Sequence, residues 1–302
     1  MTTRRDFVKT TGVAVAALSA PWSNSLLAAD QSRLATRLIP GTEEALPVVG
    51  LGNAKAFGSG DMELSRQLVE ILMDRGGSYI DTTGRSRFTI AGIMREGSVQ
   101  ARLFPGTYVA SVGDNEMREE IAAVREAQGD GGPLDLVLTR NVDAYASGVH
   151  QYRRLKEEGL TRYVGVARHQ PQYHDTMMQL MEAGAVDFVQ VNYSMLEPEA
   201  GEKLLPMAED KGIAILVNRP FVNGDYFGLV RGHELPKWAA EFDCESWAQF
   251  SVKFIVSHPA VSCVLTETSN PQHAADNIGG GIGRLPDEKT RQRMLKVIQD
   301  LV

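Results

Sequence analysis

Residues 150–167, HQYRRLKEEGLTRYVGVA, contain the pattern that decides the fold. Apolar residues recur at helical spacing from His150 to Glu158, Gly159 offers the left-handed backbone that ends a helix, and an apolar run follows from Tyr163 to Ala167. A helix that leads directly into a short buried strand is the crossover of a parallel sheet. The pattern therefore predicts an α/β fold.

The same unit recurs along the whole chain. Predicted strands are Val48–Gly52, Ser78–Thr82, Thr107–Ser111, Leu134–Thr139, Tyr163–Ala167, Phe188–Asn192, Ala214–Asn218 and Ser262–Thr266. Predicted helices lie near Glu63–Asp74, Ile90–Gly97, Asn115–Ala127, His150–Glu158, His174–Ala183, Gly201–Lys211, Glu245–His258 and Pro271–Ile278. Eight strands with eight crossovers predict a single (β/α)8 TIM barrel, a fold that commonly reaches about 250 residues.

Three further segments lie outside the strands and helices of these units. Thr36–Ile39 and Ala45–Val48 flank a Pro-Gly-Thr turn and predict a β-hairpin that plugs the barrel floor. Asp287–Val302 predicts a final amphipathic helix. The run Gly279–Gly283 follows a helix instead of opening one, so we interpret it as a connection and not as a phosphate loop.

The N-terminus has the features of an export signal. Arg4 and Arg5, followed by a short apolar run over residues 11–20 and then by small residues, predict a twin-arginine signal at residues 1–29. The mature barrel domain would then be residues 30–302, located in the periplasm or exported otherwise, with the twin-arginine translocase as a partner in transit. An uncleaved tail held at a lipid surface is the alternative.

Charge and cysteine content restrict the partners. Removal of the signal takes away three basic residues and one acidic residue, so the formal net charge moves from −7 to −9 and nucleic acid is not an expected partner. No stretch approaches the ~18 apolar residues of a membrane span. Cys244 and Cys263 have no spacing that suggests a metal, so we expect two buried free thiols, with a disulfide as the alternative.

Several segments from residue 37 onward resemble the aldo-keto reductase family. Examples are residues 46–52 (LPVVGLG), 79–83 (YIDTT), 155–166 (LKEEGLTRYVGV) and 268–277 (TSNPQHAADN). The resemblance implies hydride transfer between NADP or NAD and a carbonyl group. In that chemistry a Tyr donates the proton, a Lys lowers the pKa of the Tyr, an Asp pairs with the Lys, and a His orients the carbonyl.

This sequence keeps one of those four catalytic groups. Asp81 matches the family Asp, whereas the Tyr position falls on Ser86, the Lys position on Val112 and the His position on Arg140. Serine is a far weaker acid than a phenol and too short to reach the same point, and valine carries no charge. The resemblance therefore implies impaired or altered catalysis.

The loss of the Lys leaves Asp81 without its family partner. Because a buried unpaired carboxylate is costly, we expect Asp81 to pair with an arginine, and Arg140 is the first candidate. A relocated proton donor is the alternative to lost catalysis. Its candidates are Tyr79, Tyr193 and His169.

The resemblance also marks positions for the cofactor. They are Asn53, Arg168, Gln190, Arg219, Pro220, Thr268, Ser269, His273 and Asn277. Two departures predict weak binding of NADP or NAD. The pair Ala167-Arg168 stands where a Ser-Asn or Thr-His pair is usual, and Glu267 replaces a Gly, so its carboxylate would repel a 2′-phosphate. A helix-capping role for Ser269 or Asn270 explains the retained residues without a cofactor.

Four arginines fall at strand ends that meet at one mouth, namely Arg85, Arg140, Arg168 and Arg219. They either pair with carboxylates of the rim or form a pocket for a small anionic molecule held by guanidinium forks. Two functions therefore remain open. One is an exported NAD(P)-dependent oxidoreductase of aldo-keto reductase type with altered chemistry, and the other is a non-catalytic periplasmic binding or scaffold protein that uses the mouth for an anion.

The export hypothesis predicts a simple outcome. Replacement of both Arg4 and Arg5 by Lys should keep the precursor in the cytoplasm, because the paired arginines are the recognition element of the signal. Cell fractionation with immunoblotting measures this directly. Unchanged export of the double variant, or retention of the unaltered protein, would contradict the hypothesis.

Overall fold

Ten strands form a hairpin and a barrel in the computed structural model, which describes residues 32–96, 99, 103–129 and 131–302. They are β1 (Thr36–Leu38), β2 (Ala45–Pro47), β3 (Val49–Leu51), β4 (Tyr79–Thr82), β5 (Phe104–Val109), β6 (Leu134–Thr139), β7 (Thr161–Ala167), β8 (Phe188–Asn192), β9 (Ala214–Asn218) and β10 (Val261–Thr266). Strands β3 to β10 are parallel and close in sequence order, with β10 paired to β3. The predicted (β/α)8 barrel is confirmed.

Helices connect the strands and cover the outside of the barrel. They are α1 (Lys55–Ser59), α2 (Met62–Asp74), α3 (Ser86–Met94), α4 (Asp114–Gln128), α5 (Val142–Ser147), α6 (Val149–Glu157), α7 (His174–Glu182), α8 (Leu204–Lys211), α9 (Asp225–Leu229), α10 (Trp247–Val256), α11 (Pro271–Gly279) and α12 (Glu288–Gln299). Because all eight barrel strands run the same way, their carboxyl ends meet at one rim.

Strand β5 departs from its predicted bounds. The sequence pattern predicted Thr107–Ser111, whereas the strand spans Phe104–Val109 because Pro105 and Gly106 lie within it and pair with β4. Gly106 has a spatial reason: a Cβ added there would lie 2.0 Å from the Tyr79 hydroxyl oxygen. The missing side chain thus makes room for a polar group inside the barrel.

Strands β1 and β2 form the predicted hairpin at the amino-terminal end of the barrel. Its Ile39 and Leu46 pack against the apolar interior, so the hairpin closes the floor. Arg37 is buried in this hairpin and donates hydrogen bonds to the carbonyl oxygens of Val256 and His258 at 2.8 Å each, and to that of Val261. One charged side chain therefore ties the floor to the end of α10 and the start of β10.

The remaining fold predictions concern the last segments and the cysteines. The final amphipathic helix is present as α12, and Cys244 and Cys263 are buried free thiols as expected. Within the described residues, no helix is long and apolar enough to cross a membrane. The predicted export signal lies outside the described residues.

Arg37 gives a prediction for stability. Arg37→Met should lower the free energy of unfolding by about 2–4 kcal/mol, since three buried carbonyl groups lose a charged donor. Urea unfolding followed by circular dichroism measures the loss. Arg66→Met is the matched control, because Arg66 makes a surface ion pair with Glu96 that is worth at most about 1 kcal/mol. Equal losses in the two variants would contradict this account.

Candidate functional site

A polar cavity of about 960 Å³ opens at the carboxyl ends of the barrel strands. This is the place where (β/α)8 enzymes carry their active sites. Its lining consists of Gly52, Asn53, Lys55, Asp81, Tyr108, Arg140, Ala167, Arg168, His169, Gln190, Asn218, Arg219, Pro220, Phe221, Asn223, Gly224, Phe227, Leu265 and Glu267. Most of the predicted site residues at the strand ends therefore line one cavity, namely Asn53, Asp81, Arg140, Arg168, Gln190, Arg219 and Pro220.

Asp81 is a buried residue that lines this cavity. Its Oδ1 accepts a hydrogen bond from the Tyr79 hydroxyl at 2.8 Å, and its Oδ2 accepts one from Gln190 Nε2 at 2.8 Å. The Tyr108 hydroxyl lies 3.3 Å from the same Oδ2 and also contacts Gln190 Oε1, so its proton goes to one of the two acceptors at a time. Asn218 Nδ2 completes the network through a 3.3 Å contact with Gln190 Oε1.

The expected arginine partner of Asp81 is absent from the described residues, and that prediction is wrong. The carboxylate is satisfied by neutral donors from β4, β5 and β8 instead. Burial raises the pKa of Asp81 to about 6, although the hydrogen bonds from Gln190, Tyr79 and Tyr108, and the nearby charge of Arg140, oppose the rise. Arg140 thus lowers the pKa of Asp81 through its charge, without a hydrogen bond to the carboxylate.

The two phenols of this network are poor acids. Burial, and then the neighbouring Asp81 carboxylate, raise the pKa of Tyr79 and of Tyr108 well above the ordinary value. In Tyr108 the charge of Arg140 acts in the opposite direction but is the smaller influence. Neither hydroxyl is therefore prepared to release a proton near neutral pH.

The family tetrad positions are spread apart. Ser86 is buried at the start of α3, where its Oγ donates to the Thr83 carbonyl oxygen at 2.7 Å and accepts from the Thr83 N–H at 2.8 Å, so it holds a turn and does not line the mouth. Val112 lies beyond the end of β5 and is 49% exposed. Arg140 does line the mouth, as expected for the position after β6.

Tyr108 is the site residue that sequence reasoning missed. It faces Asp81 from β5. The sequence comparison instead placed the family Lys position at Val112, four residues later. The signal that could have found it is the alternation Phe104, Gly106, Tyr108, whose members all face the barrel interior. Pro105 concealed this alternation, because proline is uncommon inside a strand.

The four predicted arginines differ in their position relative to the cavity. Arg140, Arg168 and Arg219 line the cavity, whereas Arg85 packs against Gly60, away from it. The Arg140 guanidinium lies 4.5 Å from the Tyr108 ring centroid, and that of Arg168 lies 4.7 Å from the Tyr173 ring centroid.

The three proposed replacement donors also differ in position. His169 lines the mouth, and its pKa is lowered by burial first and then by Arg219, with smaller effects of Arg168 and Arg140 in the same direction. Tyr79 lies below Asp81 and is buried. The Tyr193 hydroxyl accepts a 2.6 Å hydrogen bond from Arg291 in the outer layer.

The cofactor positions fall into two groups. Asn53, Arg168, Gln190, Arg219 and Pro220 line the cavity, whereas Thr268, Ser269, His273 and Asn277 are not part of its lining. In the second group Ser269 Oγ accepts from the Ala56 N–H at 3.1 Å, and the neighbouring Asn270 caps α11, as the capping alternative predicts.

The inner positions do not fit a nicotinamide held in the family manner. Both polar atoms of the buried Gln190 amide are engaged with Asp81, Tyr108 and Asn218. The Arg168 guanidinium stands at the same mouth, where it disfavours a cationic oxidised nicotinamide ring. For metals, the described residues contain no cluster of three or more His, Cys, Asp or Glu side chains that could hold an ion.

A closed barrel of this order with a polar mouth at its strand ends defines a (β/α)8 protein with a candidate site in the usual place for this fold. Residues 99–293 match the Aldo/keto reductase family, and the chain belongs to that family. The oxidoreductase relationship implied by the sequence motifs is thereby confirmed at the level of the family.

Individual relatives agree with this assignment. The NADH-specific methylglyoxal reductase of Escherichia coli (strain K12) is 26% identical over 148 residues, which are 47% of this chain and 44% of that protein. The chain thus matches less than half the length of that curated relative.

Solved structures extend the likeness over most of the barrel. The holo form of an aldo-keto reductase from Bacillus halodurans has a TM-score of 0.70 at 16% identity, over 88% of this chain and 96% of that one. An aldo-keto reductase from Klebsiella pneumoniae in complex with NADPH has a TM-score of 0.68 at 17% identity, over 88% and 95%. At these identities the likeness concerns the fold.

Asp81 gives a prediction for stability against pH. Its pKa is raised from 3.8 to about 6 in the folded state, so the free energy of unfolding should fall as pH rises from about 4 to about 6 and stay lower above it. The expected contribution is on the order of 2–3 kcal/mol. In Asp81→Asn this contribution should be missing, so the variant should gain stability relative to the unaltered protein between pH 4 and pH 7.5.

Urea unfolding at both pH values measures the difference, with Asp210→Asn, at an exposed carboxylate, as the control. An arginine-paired Asp81 would have a depressed pKa and the opposite dependence. A relative loss of stability in Asp81→Asn on going to pH 7.5 would therefore contradict the account.

Proposed function

We propose that this chain is an exported aldo-keto reductase-like protein in which the family's NAD(P)H-dependent carbonyl oxidoreduction is impaired or altered. The observation that carries the proposal is the position of Tyr108. A phenol faces Asp81 where the family mechanism needs a lysine ammonium, and Ser86 is turned into a backbone contact. The group that should lower the pKa of a proton donor is thus replaced by one whose own pKa is raised.

The cofactor belongs to the proposal as well. NADPH is present in the Klebsiella pneumoniae relative, and the Escherichia coli relative is NADH-specific, which supports NADP or NAD as the nucleotide to test. A bound nicotinamide would supply a hydride to a carbonyl carbon. The engaged Gln190 amide and the Arg168 guanidinium argue for weak binding at most, and we derive no step through it.

Proton donation to the substrate is the step that should be slower in this chain than in other members of the family. A positioned general acid contributes about 10²–10⁴ to the rate, and it works best when its pKa is near the working pH. Tyr108 and Tyr79 have raised pKa values and lie against a carboxylate that holds their protons. Reduction of a carbonyl at this mouth should therefore be slow.

Kinetics test this proposal. With NADPH and methylglyoxal as the carbonyl probe, the unaltered protein should turn over at least about 100-fold more slowly than an ordinary family member. The triple variant Ser86→Tyr, Tyr108→Lys and Arg140→His should be faster, because its ammonium faces Asp81 and a tyrosine at position 86, too long for the contact that Ser86 makes with the Thr83 backbone, is expected to extend toward the mouth. Ser86→Tyr alone should not, since an unassisted phenol keeps a pKa near about 10.

The matched control is Ser86→Tyr, Val112→Lys and Arg140→His. It carries the same new side chains, but its lysine stands on an exposed loop, so it should stay slow. Any folding defect from a tyrosine at the buried position 86 is shared by both triple variants. Brisk reduction by the unaltered protein would overturn the proposal and indicate that another group, with His169 at the mouth, donates the proton.

A second candidate function is a non-catalytic periplasmic protein that binds a small anion at the mouth. The observation that favours it concerns the arginines. In the described part of the chain neither Arg140 nor Arg168 forms an ion pair with a carboxylate, and Arg219 reaches Glu197 only at 3.6 Å. The alternative, in which these arginines pair with carboxylates of the rim, is therefore only partly realised.

Export through the twin-arginine translocase remains part of the proposal. It rests on Arg4, Arg5 and the apolar run that follows them, and these residues lie outside the described part of the chain. The pathway carries folded proteins, which is consistent with a barrel that folds in the cytoplasm first. The double lysine replacement tests it.

A further inference from the structure

Three guanidinium groups converge at the cavity without enough carboxylates to neutralise them. Arg140 follows β6, Arg168 follows β7 and Arg219 follows β9, so three separate strand ends contribute one cation each. Arg168 Nε and Arg219 Nε are buried and have no hydrogen-bond partner in the described residues.

The charge of the cavity is opposite to that of the chain. Its lining has four basic residues, the three arginines and Lys55, against the two acidic residues Asp81 and Glu267. The chain as a whole carries a formal net charge of −7. In the described residues Asp81 makes no ion pair with these arginines, and of the three only Arg219 has a carboxylate partner, Glu197 at 3.6 Å, so positive charge at the mouth is left for a ligand.

The arginine side chains are held ready for binding. Arg140 and Arg168 each make a cation–π contact, with the guanidinium carbons 4.5 Å from the Tyr108 ring centroid and 4.7 Å from the Tyr173 ring centroid. Stacking fixes the plane of a guanidinium and leaves its edge N–H groups free to donate. Less conformational entropy is then lost when a planar acceptor binds.

His169 lies among these three arginines. Burial lowers its pKa most, and the charges of Arg219, Arg168 and Arg140 act in the same direction, whereas the Glu197 carboxylate opposes them. A neutral imidazole there adds a hydrogen-bonding group without adding a repelling charge of either sign. This side of the cavity is therefore suited to an anionic oxygen group.

The side of the cavity formed by residues in and after β9 and β10 is apolar. Phe221, Phe227 and Leu265 line the same cavity, and the Phe221 and Phe227 ring centroids are 4.7 Å apart. Phe227 is 39% exposed although it is a large aromatic residue. An apolar wall beside a cationic wall fits a ligand that has one anionic end and one apolar body.

We propose that this mouth binds a small organic carboxylate, with its carboxylate between Arg140, Arg168 and Arg219 and its apolar body against Phe221 and Phe227. The inference deepens the second candidate function and names its ligand class. A carboxylate fits because guanidinium forks bind its two coplanar oxygens in parallel. An inorganic anion would leave the apolar wall unused.

Calorimetric titration without nucleotide tests the proposal, with benzoate as the probe. Benzoate should bind at least roughly tenfold more tightly than the neutral benzamide, because charge-assisted hydrogen bonds are lost in the amide. It should also bind more tightly than acetate, which has no apolar body. Binding should weaken as salt is raised, as expected for an electrostatic site.

Variants locate the site. Arg168→Gln should weaken benzoate binding at least about tenfold, and Arg168→Lys, which keeps the charge but not the fork, should fall between it and the unaltered protein. Arg66→Gln, at a surface ion pair with Glu96, should bind like the unaltered protein. If Arg168→Gln fails to fold, the comparison of benzoate, benzamide and acetate on the unaltered protein decides alone.

Equal binding of benzoate and benzamide, or unchanged binding by a folded Arg168→Gln variant, would overturn the inference. Tighter binding of inorganic phosphate than of benzoate would do the same, because it would mean that the apolar wall plays no part. These outcomes are independent of the reductase assay. Slow carbonyl reduction without benzoate binding rejects this inference alone, and brisk reduction with benzoate binding rejects the impaired-reductase proposal alone.

Discussion

A buried carboxylate held by neutral donors is the interaction on which the site depends. Asp81 lies inside the barrel and receives hydrogen bonds from side chains on β4, β5 and β8. Gly106 leaves the space that the Tyr79 hydroxyl fills beneath it. Since an ionised carboxylate in such a position is stabilised by hydrogen bonds and disfavoured by burial, the balance of the two sets its pKa at about 6.

This arrangement divides the mouth into two layers. The lower layer is a closed network in which Gln190 and Tyr108 use their polar atoms on one another and on Asp81. The upper layer holds the arginines, none of which forms an ion pair with Asp81 in the described residues. Tyr108 faces Asp81 in the lower layer, and in the upper layer Arg219 has Glu197 as a carboxylate partner at 3.6 Å.

The sequence predicted the barrel well because its signals are local. Strands β6, β8 and β9 have the bounds that their apolar runs indicate, and Gly159 ends a helix with positive φ as expected. Strand β5 was misplaced because Pro105 and Gly106 interrupt its pattern, and Tyr108 was missed for the same reason. The Asp81 pairing failed because its donors come from three separate strands, and only closure of the barrel brings them together.

The titration of Asp81 tests the central claim most directly. In protein labelled with ¹³C at the aspartate carboxyl groups, the Asp81 signal can be assigned by its loss in Asp81→Asn and followed against pH. The account predicts a midpoint near 6, because burial outweighs the neutral donors and no cation pairs with the carboxylate. A midpoint below the ordinary value of 3.8 would contradict it, since hydrogen bonds or a paired cation would then outweigh the effect of burial.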